Sequence, residues 1–265
     1  MTTISSPSLS IVTPVYNGER FIDETIEAVV GQTFTDWEWI IVDDCSTDRT
    51  VERVREWAAR DARIRLLCLE KNFGGPAGPR NVGAREANAE RIAFLDADDI
   101  WYPRKLEIQL AAMGDRDFSC TAMKDFRDPE ALRFAEYPVG QLPPAHEVTF
   151  GQMSLRNRIP TSSVVIRRQL LLEMPFLEDP RYKAVEDYHC WLRLLQEGHT
   201  CLKLDWPLLG YRIIDGQISG SKWKQMKKVF MVHRELPGRG LLAALLLMVP
   251  YALGATYSRL IMKEL

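Results

Sequence analysis

Arg91-Ile92-Ala93-Phe94-Leu95-Asp96-Ala97-Asp98-Asp99 is the stretch that decides the fold. Its apolar part reads as a buried strand, and three carboxylates follow within four positions, where that strand should end. In an open α/β sheet, ligands gather at the carboxyl ends of the strands. Carboxylates packed this closely repel one another unless a cation holds them. Hard divalent cations such as Mg²⁺ or Mn²⁺ take oxygen ligands, commonly one or two carboxylates together with phosphate oxygens. A solvated turn leading into a helix cap would use the same residue types, so the neighbouring sequence has to decide.

Upstream of this run, strand and helix alternate. Leu9 to Thr13 is a short apolar strand, stopped by Pro14 and the turn at Asn17-Gly18. Arg20 to Val30 places Phe21, Ile22, Ile26, Val29 and Val30 on one helical face. Trp37 to Val42 is a second strand ending at Asp43-Asp44, and Ser46, Thr47 and Asp48 open a helix over Arg49 to Arg60. Ile64 to Leu69 is a third strand. The loop from Asn72 to Pro79 then leads to a helix near Arg80 to Ala89, and Ile92 to Leu95 is the fourth strand. Such alternation predicts an α/β fold with a Rossmann-like, mostly parallel, doubly wound sheet.

Downstream the pattern is looser. Helices are predicted at Pro103 to Met113, Arg168 to Met174 and Glu186 to Glu197, with strands at Phe118 to Met123 and Val164 to Ile166. Asp128 to Ala145 is interrupted by prolines and reads as loop. In the Glu186 helix, Trp191, Leu192, Leu194 and Leu195 should face inward, and Gly198 closes it.

The chain has 265 residues and a formal net charge of −2, which excludes a globally basic nucleic-acid binder. Its five cysteines are scattered, without metal-ligand spacing, as in a reducing cytosol. The polar start has no signal-peptide character, so the protein is expected to stay inside the cell. Lys222, Lys224, Lys227, Lys228, Arg234 and Arg239 are opposed only by Glu235 between Gly220 and Gly240. That basic segment, with Trp223, Met226, Val229, Phe230 and Met231 interleaved, resembles an interfacial stretch drawn to anionic lipid. Residues 240–258 then carry no charge but include Pro250, a borderline length for crossing a bilayer. Surface or re-entrant membrane attachment is expected ahead of a full span; a buried helix pair on the sheet is the alternative.

Four strand ends converge on one sheet edge. They bring Thr13, Pro14, Val15, Tyr16 and Glu19, then Asp43 and Asp44, then Gly74, Gly75, Pro76 and Arg80, then Asp96, Ala97 and Asp98. The set suits a nucleoside diphosphate. Tyr16 can stack on a base, Asp44 can accept from a base N–H, Gly74 permits close backbone approach, Arg80 can pair with phosphate and Asp98 can hold the metal. No GxxxxGK[ST] is present, which excludes a P-loop protein. Glu186-Asp187 is a second carboxylate pair. Transfer of a sugar to a hydroxyl with inversion needs one general base at the acceptor oxygen, although Glu and Asp also simply favour a first helical turn.

The blocks SLSIVTPVYNGERFIDETIEAVVGQTF, WIIVDDCSTDRT, FGGPAGPRNVG and IAFLDADDIWYPRKLE, in this order, resemble the family 2 inverting glycosyltransferases of GT-A fold. The likeness is close over about residues 8–110 and looser through Val185-Glu186-Asp187-Tyr188 to Tyr211-Arg212. It implies that Pro14, Tyr16, Glu19 and Asp44 line a nucleotide pocket, that Asp96 lies near the ribose, that Asp98 binds Mn²⁺ or Mg²⁺, and that Asp187 is the base. It also implies a nucleotide-sugar-binding half (residues 1–110), an acceptor-binding half of the same domain (residues 111–220) and a basic, apolar membrane-associating tail (residues 221–265).

Residues 211–222 and the tail after them resemble a bacterial subset building teichuronic acid, capsule or O-antigen on a lipid-diphosphate carrier at the cytoplasmic face of the plasma membrane. Relatives often have a histidine just after the Tyr-Arg pair; here Ile214 or Asp215 stands there, and Asp215 could substitute. No Gln-x-x-Arg-Trp motif of processive synthases is present. The expectation is therefore transfer of one sugar from a nucleotide sugar, UDP foremost, to a lipid-linked or polysaccharide hydroxyl. The rivals are a sugar-phosphate nucleotidyltransferase, whose G-x-G-x-R loop is absent, and an inactive membrane-tethered sugar-nucleotide binding protein.

Overall fold

The computed structural model describes residues 6–214, 222–238, 240–242 and 244–248. The expectations for Asp215 and for residues 249–258 lie outside them. The first half runs β1 (Leu9–Val15), α1 (Ile22–Val30), β2 (Trp37–Asp43), α2 (Thr50–Ala58), β3 (Ile64–Cys68), α3 (Ala77–Glu86) and β4 (Arg91–Phe94). The second half runs β5 (Ile100–Trp101), α4 (Lys105–Met113), β6 (Phe118–Phe126), β7 (Ala145–Val148), α5 (Phe150–Leu155), β8 (Val165–Arg167), α6 (Arg168–Glu173), α7 (Glu186–Gln196), β9 (Cys201–Arg212) and α8 (Lys222–Glu235). Short 3₁₀ turns sit at Pro129–Ala131, Thr161–Ser163 and Pro180–Tyr182.

One sheet runs through both halves in the order β3-β2-β1-β4-β8-β6-β9-β5, with β7 paired to β9. β1 to β4 are parallel, as the alternation predicts. The expectation of a mostly parallel sheet is corrected beyond β4. There β8 is antiparallel to both β4 and β6, and β5 and β7 are antiparallel to β9. A parallel neighbour requires a crossover long enough to cover the sheet face, and β8 instead enters antiparallel between β4 and β6, making the sheet mixed. β9 escapes the alternation rule because Asp205-Trp206-Pro207 interrupts its apolar period. Its pairing with β6 shifts register around Pro207, where a missing N–H is tolerated.

Strands buried on both faces read as nearly continuous apolar runs. Val12, Ile40, Val42, Ile92 and Phe94 pack on one side, with Trp191 and Leu194 of α7. Ile11, Trp39, Ile41, Ala93 and Leu95 pack on the other, with Ile22 and Ile26 of α1 and Leu106 of α4. Helix α3 begins three residues before the Arg80 start expected from sequence, because Pro79 lies in its first turn, where the missing N–H has no helical partner. Its Gly83 seats the helix on β1: a Cβ there would stand 2.4 Å from Val12 Cγ1. This close approach sets the position of Arg80, one turn earlier.

Val229, Val232 and His233 of α8, and Leu236 just after it, are buried, so much of the apolar face of this helix is spent on the protein core. Beyond it, Leu241, Leu242, Leu245 and Leu246 are 50–72% exposed. No helix among the described residues is long and apolar enough to cross a membrane.

Candidate active site

The ends of β1, β2 and β4, the loop before α3 and the start of α7 surround a cleft of about 760 Å³. Pro14, Val15, Tyr16, Asp44, Gly74, Arg80, Asp96, Ala97, Asp98 and Asp187 all line it. Tyr16 is 55% exposed at the mouth, free to meet a flat ring. Asp44 is buried; its Oδ1 accepts from the Phe73 amide at 2.8 Å, which ties the glycine loop to the end of β2. Burial raises the Asp44 carboxyl above its ordinary value.

Two of the expected residues are turned elsewhere. Thr13 is fully buried inside the sheet, and its Oγ1 accepts from Trp39 Nε1 at 2.9 Å. Glu19 Oε2 accepts from the Arg49 amide at 2.9 Å, bracing the start of α2. Arg80 lines the cleft but faces protein carboxylates. Its Nη2 donates to Asp96 Oδ1 at 2.7 Å and its Nη1 to Glu186 Oε1 at 3.2 Å, and the guanidinium lies over the Phe176 ring. The side chain is only 4% exposed, so the expected phosphate contact competes with buried Glu186 and partly buried Asp96.

The aspartate turn after β4 is fastened from β9. Arg212 donates its amide to Asp99 Oδ1 at 2.9 Å and Nε to the Asp98 carbonyl at 2.7 Å, and its guanidinium also pairs with Glu24. The rings of Phe21 and Phe126 lie 4.6 and 4.5 Å from that guanidinium, holding it in place. Burial, and then the charge of Asp96, push the Asp98 carboxyl up to about 6. Asp99 rises well above the ordinary range by burial and by Asp98 and Asp96. Tyr211, which also lines the cleft, is raised by burial and by the same carboxylates.

Across the cleft, burial and then Asp187 raise Glu186 to about 7, and burial raises Asp187. Asp187 Oδ2 accepts from Thr161 Oγ1 at 2.8 Å and Oδ1 from the Tyr188 amide at 2.6 Å. Ala184, three residues before Asp187, holds a φ of +72°, a strained value for a residue with a Cβ and one that clusters at functional sites.

The fit of a divalent cation rests on Asp98. Its carboxylate lines the cleft and makes no ion pair among the described residues, while the nearest guanidinium groups are engaged with Asp96, Glu186 and Glu24. No three His, Cys, Asp or Glu side chains converge as a metal cage among the described residues. A single carboxylate still fits an ion whose other ligands are substrate phosphates and water.

Sequence reasoning missed three contributors. Thr161-Ser162-Ser163 is a hub: Ser162 Oγ accepts from the Asp96 amide at 3.0 Å, and Ser163 Oγ from the Thr121 amide at 3.1 Å. A 3₁₀ turn has no periodic signature, and three successive hydroxyls after Pro160 were the only available signal. Lys183 lines the cleft and lays its stem 3.6 Å from the Cβ position of Gly75; its place just before the Glu-Asp pair was the available signal. Tyr211 stood in the Tyr-Arg pair of the family resemblance but was given no place in the site, because the strand β9 that carries it was not assigned.

A parallel half-sheet with an acidic turn at the end of β4, facing a second carboxylate pair, defines an α/β enzyme of the GT-A kind. The chain belongs to glycosyl transferase family 2, whose family model matches residues 10–168, and it is a glycosyltransferase. It is 34% identical, over 96% of its length and 98% of the relative's, to TuaG of Bacillus subtilis (strain 168), a glycosyltransferase named for teichuronic acid biosynthesis. It is 32% identical, over 83% of each chain, to WfgD of Escherichia coli, named a UDP-Glc:alpha-D-GlcNAc-diphosphoundecaprenol beta-1,3-glucosyltransferase. The fold matches Staphylococcus aureus TarS 1-349 in complex with UDP-GlcNAc, with TM-score 0.69 at 21% identity, covering 92% of this chain and 71% of that one. It also matches the mannosyltransferase PcManGT from Pyrobaculum calidifontis in complex with GDP-Man and Mn²⁺, with TM-score 0.64 at 16% identity, covering 98% and 81%.

Arg80→Ala leaves Asp96 and Glu186 without their shared cation and should destabilise the fold by about 3–5 kcal/mol. The check is urea denaturation, with the midpoint falling at unchanged slope. A loss below about 1 kcal/mol would show that the buried pairs do not hold the site together.

Proposed function

We propose that this chain transfers one sugar, with inversion, from a UDP-sugar to a hydroxyl of a lipid-diphosphate-linked saccharide in cell-surface polysaccharide synthesis. The observation that supports this reading is that Asp98 and Asp187 line one cleft. The names of WfgD and TuaG support the acceptor class and the role, and UDP-linked donors are supported by WfgD and by the ligand of TarS.

In this reading Tyr16 and Asp44 hold the base, and Gly74 lets the backbone approach the nucleotide. Asp98 would hold Mn²⁺ or Mg²⁺, which when bound offsets charge developing on the leaving diphosphate. Asp187 accepts the proton of the acceptor hydroxyl as that oxygen attacks the anomeric carbon. The C1–O bond to the diphosphate breaks and its electron pair leaves with UDP, so an α-linked donor gives a β-linkage. Burial around Asp187 serves this role, since a base works best when its proton affinity approaches the working pH.

The test is transfer from UDP-sugars to a lipid-diphosphate-linked saccharide by the purified protein, with the product's anomeric configuration read by NMR. Asp187→Asn should lower transfer by about 10³-fold while UDP binding persists. Because only the ionised carboxylate accepts a proton, and burial raises Asp187 above its ordinary 3.8, activity should fall with acidification at a higher pH than an exposed aspartate gives. An α-linked product, or full turnover by Asp187→Asn, would refute the mechanism.

The membrane contact is proposed for the surface after α8 rather than for α8 itself. The exposed Leu241, Leu242, Leu245 and Leu246 follow the basic residues Lys227 and Arg234, which suits the face of an anionic bilayer. That would place the enzyme peripherally, at the cytoplasmic face of the plasma membrane. Replacing the four leucines by serine should release the protein from anionic vesicles in a sedimentation assay. Unchanged binding would move the contact elsewhere.

A further inference from the structure

Asp187 is held by more than its own helix. It stands in the first turn of α7, where Val185 at the N-cap position supplies no side-chain hydrogen bond. The 3₁₀ turn Thr161–Ser163 comes from a different part of the chain and delivers Thr161 Oγ1 to Asp187 Oδ2 at 2.8 Å. A threonine hydroxyl has one proton to give and can also accept. Here Trp191 Nε1 donates to the same oxygen at 3.2 Å, which leaves the hydroxyl proton for Asp187. Trp191 is itself fully buried, stacked on Phe118 at 6.0 Å and edge-on to Phe176 at 5.4 Å. The direction of donation is therefore set by the core: indole to hydroxyl, hydroxyl to carboxylate.

We infer that Thr161 is a positioning residue for this base, fixing the rotamer of Asp187 through a relay anchored on Trp191. The inference rests on the reading of Asp187 as the base. With Oδ1 already bound to the Tyr188 amide, the hydroxyl fixes the second oxygen and hence the plane of the carboxylate. Each oxygen then keeps its remaining lone pair in a fixed plane, which restricts the directions from which an acceptor hydroxyl can give up its proton. A base displaced by about 1 Å can lose about 10²-fold in rate. In this scheme Thr161 acts on the substrates only through Asp187.

The experiment compares Thr161→Val, Thr161→Ser and Asp187→Asn in the full chain, measuring kcat, the donor KM and UDP affinity. Thr161→Val should lower kcat about 10- to 100-fold, with donor KM and UDP affinity within about twofold of the parent. Thr161→Ser, which keeps the hydroxyl, should recover most of the rate. UDP affinity shows whether the valine variant retains the folded cleft. If Asp187→Asn is inactive while Thr161→Val turns over normally, the relay is overturned and the base survives. If UDP affinity falls together with kcat, or serine fails to rescue, Thr161 is a packing residue and the inference fails. If Asp187→Asn itself turns over normally, the base assignment fails, and the relay with it.

Discussion

A guanidinium buried between two carboxylates is the constraint on which the site depends. Arg80 comes from α3, Asp96 from the end of β4 and Glu186 from the first turn of α7, so three elements meet at one side chain. The first two belong to the parallel half of the sheet, and the third follows the antiparallel excursion through β6 and β8. Glu186 would be costly to bury alone, and Asp96 is partly buried beside it. Together with a planar fork that can bond both, they register the wall carrying Asp98 against the wall carrying Asp187. Gly83 lets α3 lie close enough to β1 for that reach.

Arg212 does similar work at the outer edge. It binds the backbone and side chain of the aspartate turn from β9 and is itself confined between two aromatic rings. The two arginines engage Asp96, Glu24 and one oxygen each of Glu186 and Asp99, while Asp98 lines the cleft without an ion pair among the described residues. The remaining negative charge raises Asp98, Asp99 and Tyr211 together. In the proposed function, such a surface would disfavour a bare diphosphate and favour one that arrives with a divalent cation. Strong local fields of this kind mark functional sites more often than structural ones.

The sequence revealed the first half well, because β1, β2 and β4 are buried on both faces and their apolar runs cannot be mistaken for loop. The second half was legible only in its helices. β5 has two residues, β7 only four, and β9 hides behind Asp205-Trp206-Pro207 and a register shift. Asp44, Asp98 and Asp187, which line the cleft, stand out in the sequence because carboxylates at strand and helix ends are conspicuous. Arg80 was found but assigned outward, since nothing in a linear sequence shows that Glu186, 106 positions away, will meet it. Thr13 and Glu19 entered as residues at the end of the first strand, and Glu19 also through the family resemblance, whereas here one braces the sheet and the other the start of α2. Thr161 and Lys183 had no periodic signal at all; their roles arise from the tertiary approach of the turn before β8 and the turn before α7.

In the proposed function, a cation carried with the donor completes the carboxylate floor of the cleft. Calorimetric titration of UDP, with and without Mn²⁺, into the parent protein and Asp98→Ala tests it most directly. The account predicts tight binding only with Mn²⁺ in the parent, and weak, metal-independent binding in the variant. Equal affinity with and without Mn²⁺ in the parent protein would contradict it.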